Sequence, residues 1–232
     1  YSPLKACDPY LRYVFLTGIT KFSQLSIFSE LNNIENISMD EPYAAICGIS
    51  EDEIRSQMKE DVEGLAKKLE VTPEEALMKL KENYDGYHFT YPSPDIYNPF
   101  SLLTAMEKGK IGSYWFGSGT PTYLIKMLDK FGVVPSEIGK KKAAVEDFDA
   151  PTERMTSIIP LLYQSGYITI KDYDEELDLY TLDIPNKEVR IGLMKSLLPY
   201  YVASKAPETN TMVAYLSRDI RNGDIDAALR RL

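Results

Sequence analysis

Three features of the sequence predict a mainly helical chain with a small α/β part. Tyr13 to Leu16 is a short, unbroken apolar run with aromatic and β-branched members, ending abruptly in Thr17-Gly18. Such a run reads as a strand buried on both faces of a parallel sheet, delivering polar groups at its carboxyl end. From Ser50 the apolar spacing turns helical. Residues 167–184 read as strand, turn and strand between two helical stretches, the order of a winged helix. The expected architecture is a remnant of parallel sheet at the amino end, a helical middle, and a winged helix over 152–205.

Composition narrows the class. The 232 residues suffice for one large or two small domains, and 44% hydrophobic with 26% charged residues is ordinary for a soluble globular protein. No apolar run approaches the roughly 18 residues of a membrane span, and no basic-apolar leader is visible. Cys7 and Cys47 have no metal-ligand spacing and are too few for a disulfide framework. A reduced, cytoplasmic setting is expected. The net charge of −9 argues against the whole chain being a phosphate-binding surface, though a local patch could still bind DNA. The chain opens without Met and stops within a helical pattern, 224–232, so a piece of a longer polypeptide is expected.

The elements follow in order. Pro3 and Pro9 break the first ten residues. Weak strand signals lie near Ile27-Phe28 and Ile37–Met39, and Tyr43–Cys47 is a short apolar run able to join the same sheet. Ser50 with Glu53 forms a capping box, starting a helix to about Leu69. Thr72, Pro73 and Glu75 start a second helix, with Ala76, Leu77 and Leu80 on one face and an end near Asn83. Tyr84-Asp85-Gly86-Tyr87-His88-Phe89 predicts a tight hairpin turn. His88, the one histidine, reads as a packing residue, because no second histidine or cysteine lies beside it. Asn98 and Pro99 open a helix to about Lys108. Tyr114-Trp115-Phe116 reads as core. Gly117-Ser118-Gly119-Thr120-Pro121 precedes a helix from Thr122 to Phe131, and its backbone N–H groups could approach a docked group. Lys140–Lys142 with Ala143–Pro151 reads as a solvated linker.

The last third has its own pattern. A helix over 152–164 closes at Gly166. Strands are expected at 167–173 and 177–184, and Pro185-Asn186 opens a helix to about Ser204. A winged helix has two readings, DNA binding or packing within a larger ATPase. The wing carries Asp172, Asp174, Glu175, Glu176, Asp178 and Asp183 against Lys171 alone, so phosphates would repel it. Any DNA contact belongs to the following helix, with Lys187, Arg190, Lys195 and Lys205 against Glu188. Several of these cations could instead pair with acids of the helical middle.

Several segments together carry a family resemblance. They are Phe15-Leu16-Thr17-Gly18-Ile19-Thr20-Lys21-Phe22-Ser23, Tyr84-Asp85-Gly86-Tyr87, Tyr97-Asn98-Pro99-Phe100-Ser101, Trp115-Phe116 with Gly119-Thr120-Pro121, Leu162–Tyr167, and Pro185–Arg190. In this order the chain resembles the AAA-ATPase-like proteins common in Bacteroides-type and other anaerobic bacteria. In that family an ATPase-like region is commonly followed by a nuclease domain of the PD-(D/E)XK superfamily.

The resemblance implies a division of the chain. Residues 1–48 would end an ATPase-like α/β core, 49–150 would be a helical lid, 151–205 a winged helix, and 206–232 a helical linker towards a missing C-terminal domain. The family's phosphate-binding loop, Gly-x-x-x-x-Gly-Lys-Ser/Thr, does not occur in the chain. The implied partners are the N-terminal ATPase core and C-terminal nuclease of the same polypeptide, with DNA possible and no membrane. No cofactor is implied for this chain alone, whereas ATP and Mg²⁺ are implied for the intact protein. Thr17, Thr20 and Lys21 would lie near the γ-phosphate edge, and Gly119 and Pro121 near the adenine. No catalytic or metal residue is implied. The reading left beside this one is a DNA-binding or protein-interaction module with vestigial ATPase ancestry.

Overall fold

The computed structural model describes residues 6–17, 35–115, 122–134, 137–150, 155–201, 211–215 and 218. They divide into two compact units, Tyr1–Val189 and Arg190–Leu232. The fold is mixed, with helices dominant and two small antiparallel sheets.

The first unit begins its regular structure where the capping signals stand. Ser50 Oγ accepts the Glu53 N–H while Glu53 accepts the Ser50 N–H, starting α1 (Glu51–Gln57). Met58 leaves helical geometry at φ −119° and ψ 24°, so the one expected helix is two, with α2 at Lys59–Leu69. Thr72 and Glu75 form the second capping box and open α3 (Pro73–Tyr84). Asn98 Oδ1 accepts the Ser101 N–H and opens α4 (Pro99–Lys108). β1 (Ile49–Ser50), just before α1, pairs antiparallel with β2 (Ile96–Tyr97), which lies between α3 and α4. The helices bury one core, with Ile54, Leu65, Ala76, Leu80, Tyr84 and Leu102 fully inaccessible. Burial drives this layer, at about 1.5–3 kcal/mol for each large apolar side chain.

α5 (Thr122–Lys130) buries Leu124 and Leu128. A three-stranded sheet follows in the order β3 (Lys141–Ala143), β5 (Leu179–Asp183), β4 (Thr169–Asp174). The expected hairpin over 167–184 is present as β4 and β5. α6 (Glu146–Asp149) and α7 (Ile159–Gln164) lie between β3 and β4 in the chain. Phe148, fully buried, sets its ring 4.6 Å from that of Tyr163 and 5.4 Å from that of Tyr180. α8 (Lys187–Tyr201) begins in the first unit and continues into the second, where residues 211–215 are also helical.

Four expectations are corrected. Tyr13–Leu16 forms no strand; it is exposed coil, outside any ladder among the described residues. A strand requires a neighbour for its backbone groups, and none of the described residues supplies one, so neither sheet here is parallel. Tyr43–Cys47 makes successive i→i+3 turns instead of a strand, set off by Pro42 in the 3₁₀ turn Glu41–Tyr43. Ile37–Met39 is likewise turn and coil. The linker expected at Lys140–Pro151 contains β3 and α6, with Ala143 buried, Lys141 half-buried and Lys142 exposed. Residues 27–28 and 224–232 lie outside the described residues.

Candidate functional site

The turn after α3 is where most of the singled-out motifs meet. Asp85 caps the end of α3 and is almost wholly buried, 3% exposed. Gly86 follows at φ +90°, a left-handed conformation that favours glycine. Tyr87 then bridges Ile96 through both backbone bonds at 3.2 Å. The expected tight hairpin at 84–89 is therefore a wider one, closed at Tyr87 and Ile96.

Three segments distant in sequence converge on this turn and the end of α3. From β4, Thr169 Oγ1 accepts the His88 N–H at 2.7 Å and donates to His88 O at 2.8 Å. One hydroxyl thus satisfies both backbone groups of His88. Also from β4, Lys171 Nζ donates to Gly86 O at 2.6 Å and to Pro185 O at 3.5 Å. From the start of α8, Asn186 Nδ2 donates to Asp85 O at 3.0 Å, while its Oδ1 caps the Val189 N–H at 3.1 Å. Lys187 Nζ donates to Glu82 Oε1 on α3 at 2.8 Å. Glu188, 2% exposed, accepts the adjacent backbone N–H groups of Tyr114 and Trp115 on one carboxylate oxygen. Finally Tyr84 OH donates to Gly112 O and accepts the Gly112 N–H.

Aromatic rings fill the space behind these bonds. The Trp115 ring lies 5.3 Å from that of Tyr167, and Gly166, at φ +75°, sits against the rings of Trp115 and Tyr87. Burial pushes the Tyr87 and Tyr97 hydroxyls well above the usual phenol range, and those of Tyr84 and Tyr167 up to about 12. These hydroxyls stay protonated and serve as hydrogen-bonding groups.

Titratable groups at the junction are shifted chiefly by burial. Burial raises the Asp85 carboxyl, although the Gly86 N–H opposes it, and Oδ1 has no hydrogen-bond partner among the described residues. Lys81 Nζ stands 3.7 Å from the other Asp85 oxygen. Burial lowers Lys171, opposed by Asp95, Asp183 and Asp85. Asp95 Oδ1 accepts from His88 Nε2, while His88 Nδ1 is buried without a partner among the described residues. The packing role read for His88 fits this placement. The arrangement binds main chain to side chain, with the His88 backbone held by Thr169 and its ring by Asp95.

The sequence-derived site residues fare differently. Thr17 is exposed and follows the unpaired run; Thr20, Lys21, Gly119, Pro121 and Lys205 lie outside the described residues. Lys187 is paired with Glu82, and Arg190 and Lys195 are exposed on α8. Thr169, Lys171 and Glu188 were not foreseen as junction residues. For Lys171 a signal existed: one cation among six acids in the predicted wing. Among the described residues no group of three or more His, Cys, Asp or Glu could hold a metal ion. Among them, too, no helix is long and apolar enough to cross a membrane.

No protein-family model matches the chain, and no solved structure matches it. Among curated proteins it is similar to an uncharacterized protein in the vnfD 5′ region of Azotobacter chroococcum mcd 1, with 32% identity over 211 residues. That match takes in 89% of this chain and 38% of the relative, so the chain spans well under half of that protein's length.

Proposed function

We propose that the chain is the lid and domain-packing part of an AAA-ATPase-like region. In the intact protein this part relays nucleotide state between an ATPase core and a DNA-acting nuclease domain. One observation carries the reading. Parts of several segments behind the family resemblance, Tyr84–Tyr87, Tyr97–Asn98, Trp115, Gly166–Tyr167 and Pro185–Glu188, meet in one junction made of backbone hydrogen bonds and ring contacts, whereas the described part of Phe15–Ser23 is exposed. Residues used to hold segments together suit a relay better than a catalyst. The order α7, β4, β5, α8 supports a winged helix over 151–205, following a lid over 49–150. The relative, much longer than this chain, leaves room for both further domains.

In this reading Thr17, Thr20 and Lys21 contact the γ-phosphate edge, and Gly119 and Pro121 the adenine, with ATP and Mg²⁺ bound mainly by the missing core. The intact protein works in the cytoplasm. Most nucleotide affinity in such ATPases comes from the loop that wraps the phosphates with backbone N–H groups and a lysine. This chain lacks that loop. Calorimetry with ATP and Mg²⁺ should therefore show no micromolar binding to the chain alone. The longer polypeptide should bind, and Lys21→Ala should weaken it. Micromolar ATP binding by the 232-residue chain would sink the proposal.

The exposed cations Arg190 and Lys195 favour one second reading, a nucleic-acid-binding module whose ATPase ancestry is vestigial. Then the longer polypeptide would bind duplex DNA with an affinity indifferent to ATP.

A further inference from the structure

β4 carries one residue more than its partner strand needs. Ile170 faces Leu182 and Asp172 faces Thr181, so Lys171 is the extra residue of a β-bulge. A bulge re-aims the side chain that it inserts. Here the re-aimed ammonium reaches the carbonyls of Gly86 and Pro185, two segments otherwise about 100 residues apart in the chain. The receiving turn is shaped for the same contact. A Cβ on Gly86 would stand 2.7 Å from Pro185 O and 3.1 Å from Lys171 Nζ. Placing a cation there opposes its own desolvation, as the lowered pKa of Lys171 records, with Asp85, Asp95 and Asp183 as counter-charges. An aliphatic side chain could fill the space without that opposition but could not bridge two carbonyls.

The two parts that Lys171 joins differ in their means of support. The helical layer has its own core, running from Ile54 to Met106, and none of its members lies in β4 or β5. The hairpin buries Ile170 and Leu182, and is held to the 86–88 segment by Thr169 and Lys171. With only the three-residue edge strand β3 beside it, the hairpin makes a small sheet, and small sheets depend on such attachments.

We propose that Lys171 is a lock that fixes the β4–β5 hairpin to the turn after α3 and to the start of α8. Released from it, the hairpin opens as a unit of its own while the helical layer stays folded. The lock is a property of the first compact unit and stands whether or not the longer polypeptide binds nucleotide.

Amide hydrogen exchange on the 232-residue chain tests this. In Lys171→Met the amides of Ile170, Asp172, Thr181 and Leu182 should exchange about tenfold faster or more, with those of Leu65 and Leu80 within about twofold of wild type. Gly86→Ala, which attacks the same point from the opposite side, should give the same hairpin-selective pattern. Unchanged hairpin protection in Lys171→Met overturns the proposal. Equal acceleration in hairpin and helices also overturns it, since the lysine is then a general determinant of stability. If Lys171→Met does not fold, Gly86→Ala decides alone by the same two patterns, and failure of both variants to fold counts as the second, overturning outcome.

Discussion

One oxygen of the buried Glu188 carboxylate accepts the backbone N–H groups of two consecutive residues, Tyr114 and Trp115. The acceptor comes from the first turn of α8 and the donors from the segment after α4. Removing it leaves two donors in a site that water does not reach freely. Each buried, unpaired donor costs about 1–3 kcal/mol. Glu188→Ala should therefore lower stability by about 2–4 kcal/mol in urea unfolding followed by Trp115 fluorescence. Glu188→Gln keeps a carbonyl acceptor and should lose less than half as much. Equal losses in the two variants would mean that the charge matters and the acceptor does not.

Asp85 predicts a pH dependence of opposite sign to the usual carboxylate. Its folded-state pKa lies above the ordinary value of 3.8, chiefly through burial. Between those two values the folded state holds more protons than the unfolded, so stability falls as pH rises through the window. Above it Asp85 remains ionised and unfavourable. Asp85→Asn lacks the titration and keeps the shape. It should be at least as stable as wild type at pH 7, with its advantage shrinking as pH falls towards about 4. Melts at several pH values check this, and an Asn variant less stable at pH 7 than at pH 4 relative to wild type would refute it. Glu51, whose pKa is lowered first by Lys81 and then by Arg55, works the other way. Its contribution is present above the ordinary glutamate value and is lost as pH falls through the lowered one, so both proteins share an acid-side decline that cancels in the comparison.

Local chemistry was legible in the sequence, and long-range partnership was not. Ser50–Glu53, Thr72–Glu75 and Asn98–Ser101 each close within three residues, so residue types alone fixed where α1, α3 and α4 begin. The β4–β5 hairpin was legible from alternation around an acidic turn. The break at Met58 carries no Gly or Pro and left no mark. Tyr13–Leu16 has the composition of a buried strand, but a strand exists only with a neighbour, and composition does not name one. β3 hid within a lysine run because an edge strand needs only one inward residue, Ala143. The motifs of the junction could be picked out one by one. Their meeting depends on contacts such as Asn186 with Asp85 and Thr169 with His88, which no local period encodes.

The charges on α8 decide how DNA would be held, if at all. Lys187 is engaged with Glu82, so its ammonium is not available to a phosphate without breaking that pair. Arg190 and Lys195 are exposed, while Asp172, Glu175, Glu176 and Asp178 give the hairpin an acidic outer face. Two cations release counterions from about two phosphates, so the affinity for a duplex should be weak and fall with salt with a slope of about −2 on a log–log plot. Lys187→Gln should leave that slope unchanged, whereas Arg190→Glu with Lys195→Glu should abolish binding. The measurement is a fluorescence titration of labelled duplex at low salt with the 232-residue chain and the two variants. Binding that survives the double charge reversal would remove α8 as the contact. A fall in slope of about one unit in Lys187→Gln would show that DNA breaks the pair with Glu82. No binding by the unaltered chain at low salt would leave α8 with packing alone, the role that Asn186, Lys187 and Glu188 already fill in its first turn.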